Sequence, residues 1–168
     1  KMVFKTKEPV VIYPASGTGA WEAAIVNTLS EGDKVLMFET GHFSFLWLEI
    51  AKKFKLQVDF VSGDWRTGVD PAIVEQKLKD DKEKKIKAIF VVHNETSTGI
   101  TNDIEAIAGI VKGEFDKLLL VDAVSSLGSV KLSTDEWGLD VVCSASQKGW
   151  MCPPGVAMIS VSQRAWKA

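Results

Sequence analysis

The segment Asp140-Val-Val-Cys-Ser-Ala-Ser-Gln-Lys-Gly149 predicts a strand buried on both faces, because its apolar run is unbroken and ends in small polar residues and a single lysine. A second apolar run, Leu118–Val121, ends in Asp122. Parallel strands deliver the residues that follow them to the same edge of a sheet. We therefore expect Asp122 and Lys148 to belong to one site.

Short apolar runs alternate with amphipathic stretches along the whole chain, a pattern typical of βα units. The runs are rich in Val, Ile, Leu and Phe, as strands covered on both faces require. The predicted strands are Val10–Tyr13, Val35–Phe38, Val58–Val61, Ile86–Val92, Leu118–Val121, Val141–Ser144 and Ala157–Val161. The predicted helices are Ala20–Leu29, Ser44–Phe54, Pro71–Lys79 and Asp103–Lys112. The expected fold is α/β, with a three-layer, mostly parallel sheet and helices on both faces.

Two of these helices begin at recognisable caps. Asp70 before Pro71 combines an N-cap carboxylate with proline in the first turn. Asn102 before Asp103, with Glu105 shortly after, fits a capping box. These residues predict where the third and fourth helices start.

Composition excludes several classes of function. The 168 residues are 46% hydrophobic, enough for one domain with a sizeable core. Twenty basic and 22 acidic residues give a formal net charge of −2, which does not suit a nucleic-acid partner. No apolar run approaches the roughly 20 residues that cross a bilayer, and no signal-peptide pattern is present. We expect a cytoplasmic protein without a membrane or nucleic-acid partner.

The two cysteines give no sign of a metal centre. Cys143 and Cys152 have neither CxxC spacing nor a nearby histidine pair. We expect no metal and no disulfide.

Two polar stretches lie where an α/β protein binds ligands. Ser16-Gly-Thr-Gly19 precedes a predicted helix, whose N-terminus favours an anion. A plain tight turn explains the stretch equally well, because it matches neither the P-loop pattern nor GxGxxG. His93-Asn-Glu-Thr-Ser-Thr-Gly99 follows an apolar run, at a strand end where ligands bind, with a loop of Asx and Ser/Thr turns as the alternative. Phe43 follows the second strand and could stack on a planar ligand or pack in the core.

Asp122 and Lys148 carry the most specific chemistry. A buried carboxylate is costly without a charged or hydrogen-bonded partner, and a protonated pyridine nitrogen supplies one. A lysine desolvated at the end of a buried strand offers a nucleophilic amine for Schiff-base chemistry. The pair suits pyridoxal phosphate, an aldehyde with a basic ring nitrogen, and Thr96 could offer its hydroxyl to the phenolic oxygen.

The chain resembles the large domain of class V, fold-type I pyridoxal-phosphate aminotransferases, above all the serine–glyoxylate and alanine–glyoxylate enzymes. Four stretches carry the resemblance in the family's order: Ser16-Gly-Thr-Gly-Ala-Trp-Glu22, His93–Gly99, Leu119-Leu-Val-Asp-Ala-Val-Ser-Ser-Leu127 and Ser144-Ala-Ser-Gln-Lys-Gly149. Together they cover the chain from residue 10 to about residue 161. The resemblance implies transamination between a small amino acid, serine or alanine, and a 2-oxo acid such as glyoxylate.

The resemblance also implies a role for each matching position. Lys148 would form the Schiff base and move the substrate proton, and Asp122 would pair with the pyridine nitrogen. The other implied cofactor contacts are Gly17, Thr18, Gly19 and Gln147 at the phosphate, with Thr96, Val124 and Phe43 around the ring. Many relatives have tryptophan or histidine where this chain has Phe43.

Two alternative functions stay open. Cysteine desulfurases and lyases of the same class typically have histidine before the lysine and a mobile cysteine; here Gln147 precedes Lys148, but Cys152 keeps that alternative open. A dinucleotide-binding oxidoreductase would share the α/β pattern, yet Ser16–Gly19 is not its glycine fingerprint.

The resemblance makes residues 1–168 a large domain that lacks the family's N-terminal segment and C-terminal small domain. The small domain carries the arginine that binds the substrate carboxylate. Arg66 and Arg164 are the only arginines here, and neither matches that position. The family also implies a homodimer in which the partner completes the phosphate site.

Overall fold

A seven-stranded mixed sheet runs through the molecule, and the computed structural model describes the whole chain from Lys1 to Ala168. Its strands are β1 (Val10–Pro14), β2 (Lys34–Phe38), β3 (Gln57–Val61), β4 (Ile86–Val92), β7 (Leu118–Asp122), β8 (Val141–Ala145) and β9 (Val156–Val161), and a separate short hairpin pairs β5 (Asn94–Glu95) with β6 (Ile100–Thr101). The order across the sheet is β1-β9-β8-β7-β4-β2-β3. Only β9 runs opposite to the other six strands, so the predicted mostly parallel sheet is confirmed.

All four predicted helices are present. They are α1 (Gly17–Thr28), α2 (His42–Lys53), α3 (Pro71–Asp80) and α4 (Ile104–Ile110), followed by a π-helical turn (Val111–Phe115) and a C-terminal 3₁₀ turn (Ala165–Lys167). The first two begin two to three residues earlier than predicted, because polar groups outside the apolar pattern accept from their first N–H groups: Ser16 at α1, and Glu95 and Ser97 at α2. No helix combines the length and apolar character that crossing a lipid bilayer demands.

Alternating strand residues build a core on each face of the sheet. In β2, Val35 and Met37 pack with α1 and α2, while Leu36 and Phe38 pack with α3 and α4. Each large apolar side chain buried in this way contributes about 1.5–3 kcal/mol. The three-layer architecture with helices on both faces is therefore confirmed.

One of the two predicted caps is correct and the other is displaced by one residue. Asp70 accepts a hydrogen bond from the N–H of Ala72 at 2.9 Å, as expected. At α4 the cap is Asp103, whereas the amide of Asn102 donates to Val92 O at 2.6 Å and accepts from Val69 N at 2.7 Å. Asn102 is buried, so its side chain serves two backbone groups that water cannot reach.

A buried carboxylate fastens the edge of the sheet where β7 and β8 begin. Asp140 is 3% exposed and accepts hydrogen bonds from Leu119 N at 2.8 Å and Ser162 Oγ at 2.9 Å. It also pairs with Lys112 and with Arg164, whose Nη2 lies 2.9 Å from Oδ2. Arg164 therefore has a structural partner at the edge of the sheet where β7 and β8 begin.

Candidate functional site

A cavity of about 180 Å³ lies where β7 and β8 end and where α1 and α2 begin. The carboxyl edge of a parallel sheet brings together residues that are distant in sequence. The cavity is lined by Ser16, Gly17, Thr18, Trp21, Phe43, Asn94, Thr96, Asp122, Val124, Ser125, Gln147 and Lys148. Every residue expected at the site is among them except Gly19.

Asp122 is the buried charge of the cavity. It is the last residue of β7 and only 5% exposed, and its Oδ1 accepts a hydrogen bond from Val124 N at 2.8 Å. Burial raises the pKa of Asp122 to about 6, against the opposing effects of that hydrogen bond and of the indole N–H of Trp21. Oδ2 accepts no well-aligned hydrogen bond within the chain, which leaves it available to a group in the cavity.

Trp21 forms the apolar wall beside this carboxylate. Its ring stacks on Trp47 with centroids 5.6 Å apart, and Trp47 stacks in turn on Phe90 at 4.7 Å. The buried indole N–H of Trp21 has no well-aligned acceptor, although it lies close enough to Asp122 to favour the charged carboxylate. A buried donor without a partner is rare in folded proteins.

Lys148 follows β8 on a turn that is fixed at several points. Ser146 Oγ donates to Pro153 O at 2.7 Å, and Lys148 O accepts from Met151 N at 2.9 Å. A Cβ on Gly149 would lie 2.4 Å from Leu127 O, so only glycine allows this close approach of the two backbones. The lysine side chain itself is exposed, so the desolvation that we expected for it is absent in this chain.

The N-terminus of α1 faces the same cavity. Ser16 is its N-cap and accepts from Gly19 N at 3.4 Å, which occupies that amide, while the N–H groups of Gly17 and Thr18 have no acceptor in the chain. A Cβ on Gly17 would lie 2.9 Å from both methyl carbons of Val124. Glycine at this position therefore lets the helix end sit against the strand-end residues, where its dipole favours an anion.

Sequence reasoning missed four lining residues: Ser16, Trp21, Asn94 and Ser125. Asn94 Nδ2 donates to Ser125 Oγ at 3.1 Å, and Ser125 Oγ donates to Asn94 O at 2.8 Å, joining the ends of β4 and β7. All four lie inside the stretches quoted above, Ser16–Glu22, His93–Gly99 and Leu119–Leu127, and could have been included on that ground. Trp21 could have been found from its position one helical turn after Gly17.

His93 lies behind the cavity as a neutral group. Burial lowers the pKa of His93 to about 4, and its Nδ1 lies 2.9 Å from Ser126 Oγ. It holds the strand end in place without carrying charge at neutral pH.

The sequence profile of the Aminotransferase class-V family matches residues 1–168. The chain belongs to this family. The class-V chain is 46% identical to serine–glyoxylate aminotransferase of Methylorubrum extorquens over 170 residues, covering 100% of the chain and 42% of that protein. It is 45% identical over 168 residues to a protein named soluble hydrogenase 42 kDa subunit of Anabaena cylindrica, covering 100% of the chain and 44% of that protein. The family resemblance inferred from the sequence is confirmed.

Solved structures agree with this class-V assignment. Alanine–glyoxylate aminotransferase from Nostoc sp. superposes with a TM-score of 0.92 at 34% identity, over 99% of this chain and 43% of that one. A cysteine desulfurase from Thermococcus onnurineus, at 24% identity and a TM-score of 0.78, shares the fold. The chain spans less than half the length of the relatives it matches.

The residues of the class-V cavity fit pyridoxal phosphate. The free Oδ2 of Asp122 suits the ring nitrogen, and Lys148 offers the only amine that lines the cavity. The unused amides of Gly17 and Thr18 suit a phosphate. None of these polar groups makes a well-aligned hydrogen bond or an ion pair within the chain.

Proposed function

We propose that this chain forms the cofactor-binding domain of a pyridoxal-phosphate aminotransferase that moves an amino group from serine or alanine to a 2-oxo acid, with glyoxylate as acceptor. The observation that carries the proposal is the meeting of Asp122, Lys148 and the α1 N-terminus around one cavity. The similarity to serine–glyoxylate and alanine–glyoxylate aminotransferases supports the choice of substrates.

Bound pyridoxal phosphate supplies an electron-accepting ring that stabilises negative charge at the substrate α-carbon. Asp122 would hold the ring nitrogen, where a cation relieves the cost of burying its carboxylate. Gly17 and Thr18 would hold the phosphate through backbone N–H groups, with the side-chain amide of Gln147 beside them. Gly19 is left out of this set because its N–H is occupied by Ser16.

Lys148 would act at the other side of the ring as nucleophile and as general base and acid. Lys148 takes part in none of the chain's salt bridges, and the only carboxylate that lines the cavity with it is Asp122. Phe43 and Val124 would flank the ring, and Thr96 would place its hydroxyl at the ring oxygen. Each of the three lines the cavity, which fixes the space available to a flat ligand.

Reduction of the protein with borohydride after addition of pyridoxal phosphate tests the role of Lys148. We expect a yellow complex whose reduced cofactor maps to the peptide that carries Lys148, and we expect Lys148→Arg to abolish both labelling and transamination. Lys131→Arg is the matched control, since that exposed lysine faces Glu105 away from the cavity. Stoichiometric label on another lysine, with Lys148 unmodified, would overturn the proposal.

The substrates need a separate assay. A panel of amino donors and 2-oxo acceptors with the wild-type protein should give fastest transfer from serine or alanine to glyoxylate. Wild-type protein that carries label on Lys148 but leaves glyoxylate unreacted would keep the cofactor assignment and overturn the choice of acceptor.

We also propose a homodimer, as the family resemblance implies. Support comes from the turn after Lys148, where Met151 is 92% exposed and residues 151–156 form a continuous exposed, largely apolar stretch. Analytical ultracentrifugation should show a dimer, and a monomer at working concentration in a transaminating sample would refute it.

A further inference from the structure

Helix α2 begins without a side-chain cap of its own. Its N-cap residue is Gly41, which has no side chain to offer to the first-turn N–H groups. Buried helix amides without an acceptor are costly. Acceptors come instead from Glu95, the last residue of β5, and from Ser97 in the loop between β5 and β6, more than 50 positions further along the chain.

Glu95 supplies most of those acceptors. Its Oε2 accepts from Phe43 N at 3.1 Å and from Ser44 N at 3.0 Å. Its Oε1 accepts from Ser97 N at 3.1 Å and Ser97 Oγ at 2.7 Å, and Ser97 Oγ accepts from His42 N at 2.9 Å. Glu95 is 0% exposed, and all of its partners are donors, as an ionised carboxylate requires. Its negative charge also lies at the positive end of the α2 dipole.

The close approach depends on Gly41. A Cβ at that position would lie 2.5 Å from both Glu95 Cγ and Ser97 Oγ. A buried side chain anchored by several hydrogen bonds has little freedom to move away. The start of α2 and the β5–β6 loop are therefore packed as one unit.

The two residues that this unit carries into the cavity are Phe43, in the first turn of α2, and Thr96, between Glu95 and Ser97. We infer that Glu95 is a positioning residue that sets the ring of Phe43 and the hydroxyl of Thr96 relative to each other across the cavity. This inference rests on the proposed function, because it takes the cavity to be the cofactor site. Glu95 itself does not line the cavity, so it acts through its neighbours.

Glu95→Gln tests the inference, since it keeps the volume but replaces one acceptor oxygen by a donor. We expect pyridoxal-phosphate affinity to fall about tenfold and amide exchange at Phe43 and Ser44 to quicken by a similar factor. In the Phe43→Ala background, the same change should cost distinctly less affinity, because the route through Phe43 is already gone. Ser97→Ala removes one hydrogen-bond donor to Glu95 but leaves the carboxylate in place. It is the second test variant, to be used if Glu95→Gln fails to fold.

Asp103→Asn is the matched control, because Asp103 is also a carboxylate that accepts from a helix N-terminus, but it is the N-cap of α4 and does not line the cavity. It should leave cofactor affinity and exchange at Phe43 unchanged. Wild-type affinity and wild-type exchange in both Glu95→Gln and Ser97→Ala would overturn the inference, as would equal affinity losses with and without Phe43. If the wild-type protein binds no pyridoxal phosphate, the proposed function fails, and amide exchange still decides whether Glu95 fixes the start of α2.

Discussion

Replacement of Asp122 by asparagine separates the stability of the cofactor-free protein from its capacity to bind the cofactor. The buried carboxyl has its pKa raised from 3.8 to about 6. With ~1.4 kcal/mol for each pKa unit, charged Asp122 costs the cofactor-free fold up to about 3 kcal/mol. Asparagine carries no charge and keeps an oxygen for the N–H of Val124. We expect a net gain of about 2 kcal/mol at pH 8 after imperfect hydrogen bonding is allowed for.

The pH dependence has a fixed sign. Because the pKa of Asp122 is higher in the folded than in the unfolded chain, the folded state binds the extra proton between about pH 4 and pH 6. The contribution of Asp122 to wild-type stability is therefore most favourable below about pH 4 and is lost as the pH rises through about 6. The stability difference between Asp122→Asn and wild type should grow over that window and level off above it.

Urea unfolding of both cofactor-free proteins from about pH 4 to about pH 8 measures this difference, and the subtraction removes other titrating groups. Asp140→Asn is the contrasting variant: it should destabilise the fold, because Lys112 and Arg164 lose the charge that they pair with. At saturating pyridoxal phosphate the order of stability should reverse, so that wild type resists urea better than Asp122→Asn. A difference independent of pH, or one that shrinks toward pH 8, would refute the reasoning.

Two further variants probe the walls of the site. Gly149→Ala should destabilise the protein by about 1–3 kcal/mol in urea unfolding, because the new Cβ would lie 2.4 Å from Leu127 O. Gly113 has open space around it, so the control variant Gly113→Ala should change stability by less than about 1 kcal/mol. Equal effects of the two would contradict the close-approach argument. Trp21→Phe removes the indole N–H that favours the charged carboxylate of Asp122. In the Trp21→Phe background, the pH at which the stability difference caused by Asp122→Asn reaches half of its final value should therefore be higher. An unchanged midpoint would show that the indole has no such influence.

The local pattern of residues was enough to predict the elements of the fold. Runs rich in Val, Ile, Leu and Phe predicted all seven main strands. The five inner strands are mostly buried, as expected for strands covered on both faces. The expectation is wrong for the two edge strands, β1 and β3, which are exposed or half-buried along their length because each has a neighbour on one side only. The same reasoning brought Asp122 and Lys148 to one edge of the sheet, since parallel neighbours end together. Helix starts were less accurate, because caps such as Ser16 lie outside the apolar period.

Contacts between distant segments were decided by the tertiary structure alone. Sequence spacing could not distinguish Gly17, which lies against Val124 in the cavity wall, from Gly19, whose amide is occupied by Ser16. Nor could it show that Glu95 caps a helix about 50 positions earlier, because a periodic pattern reports which face of an element is buried and not which polar groups meet there. The sequence by itself determined the layers and the edge where the site lies. Only packing in three dimensions determined which donors at that edge stay free for a ligand, because each is free only when no neighbouring segment supplies an acceptor.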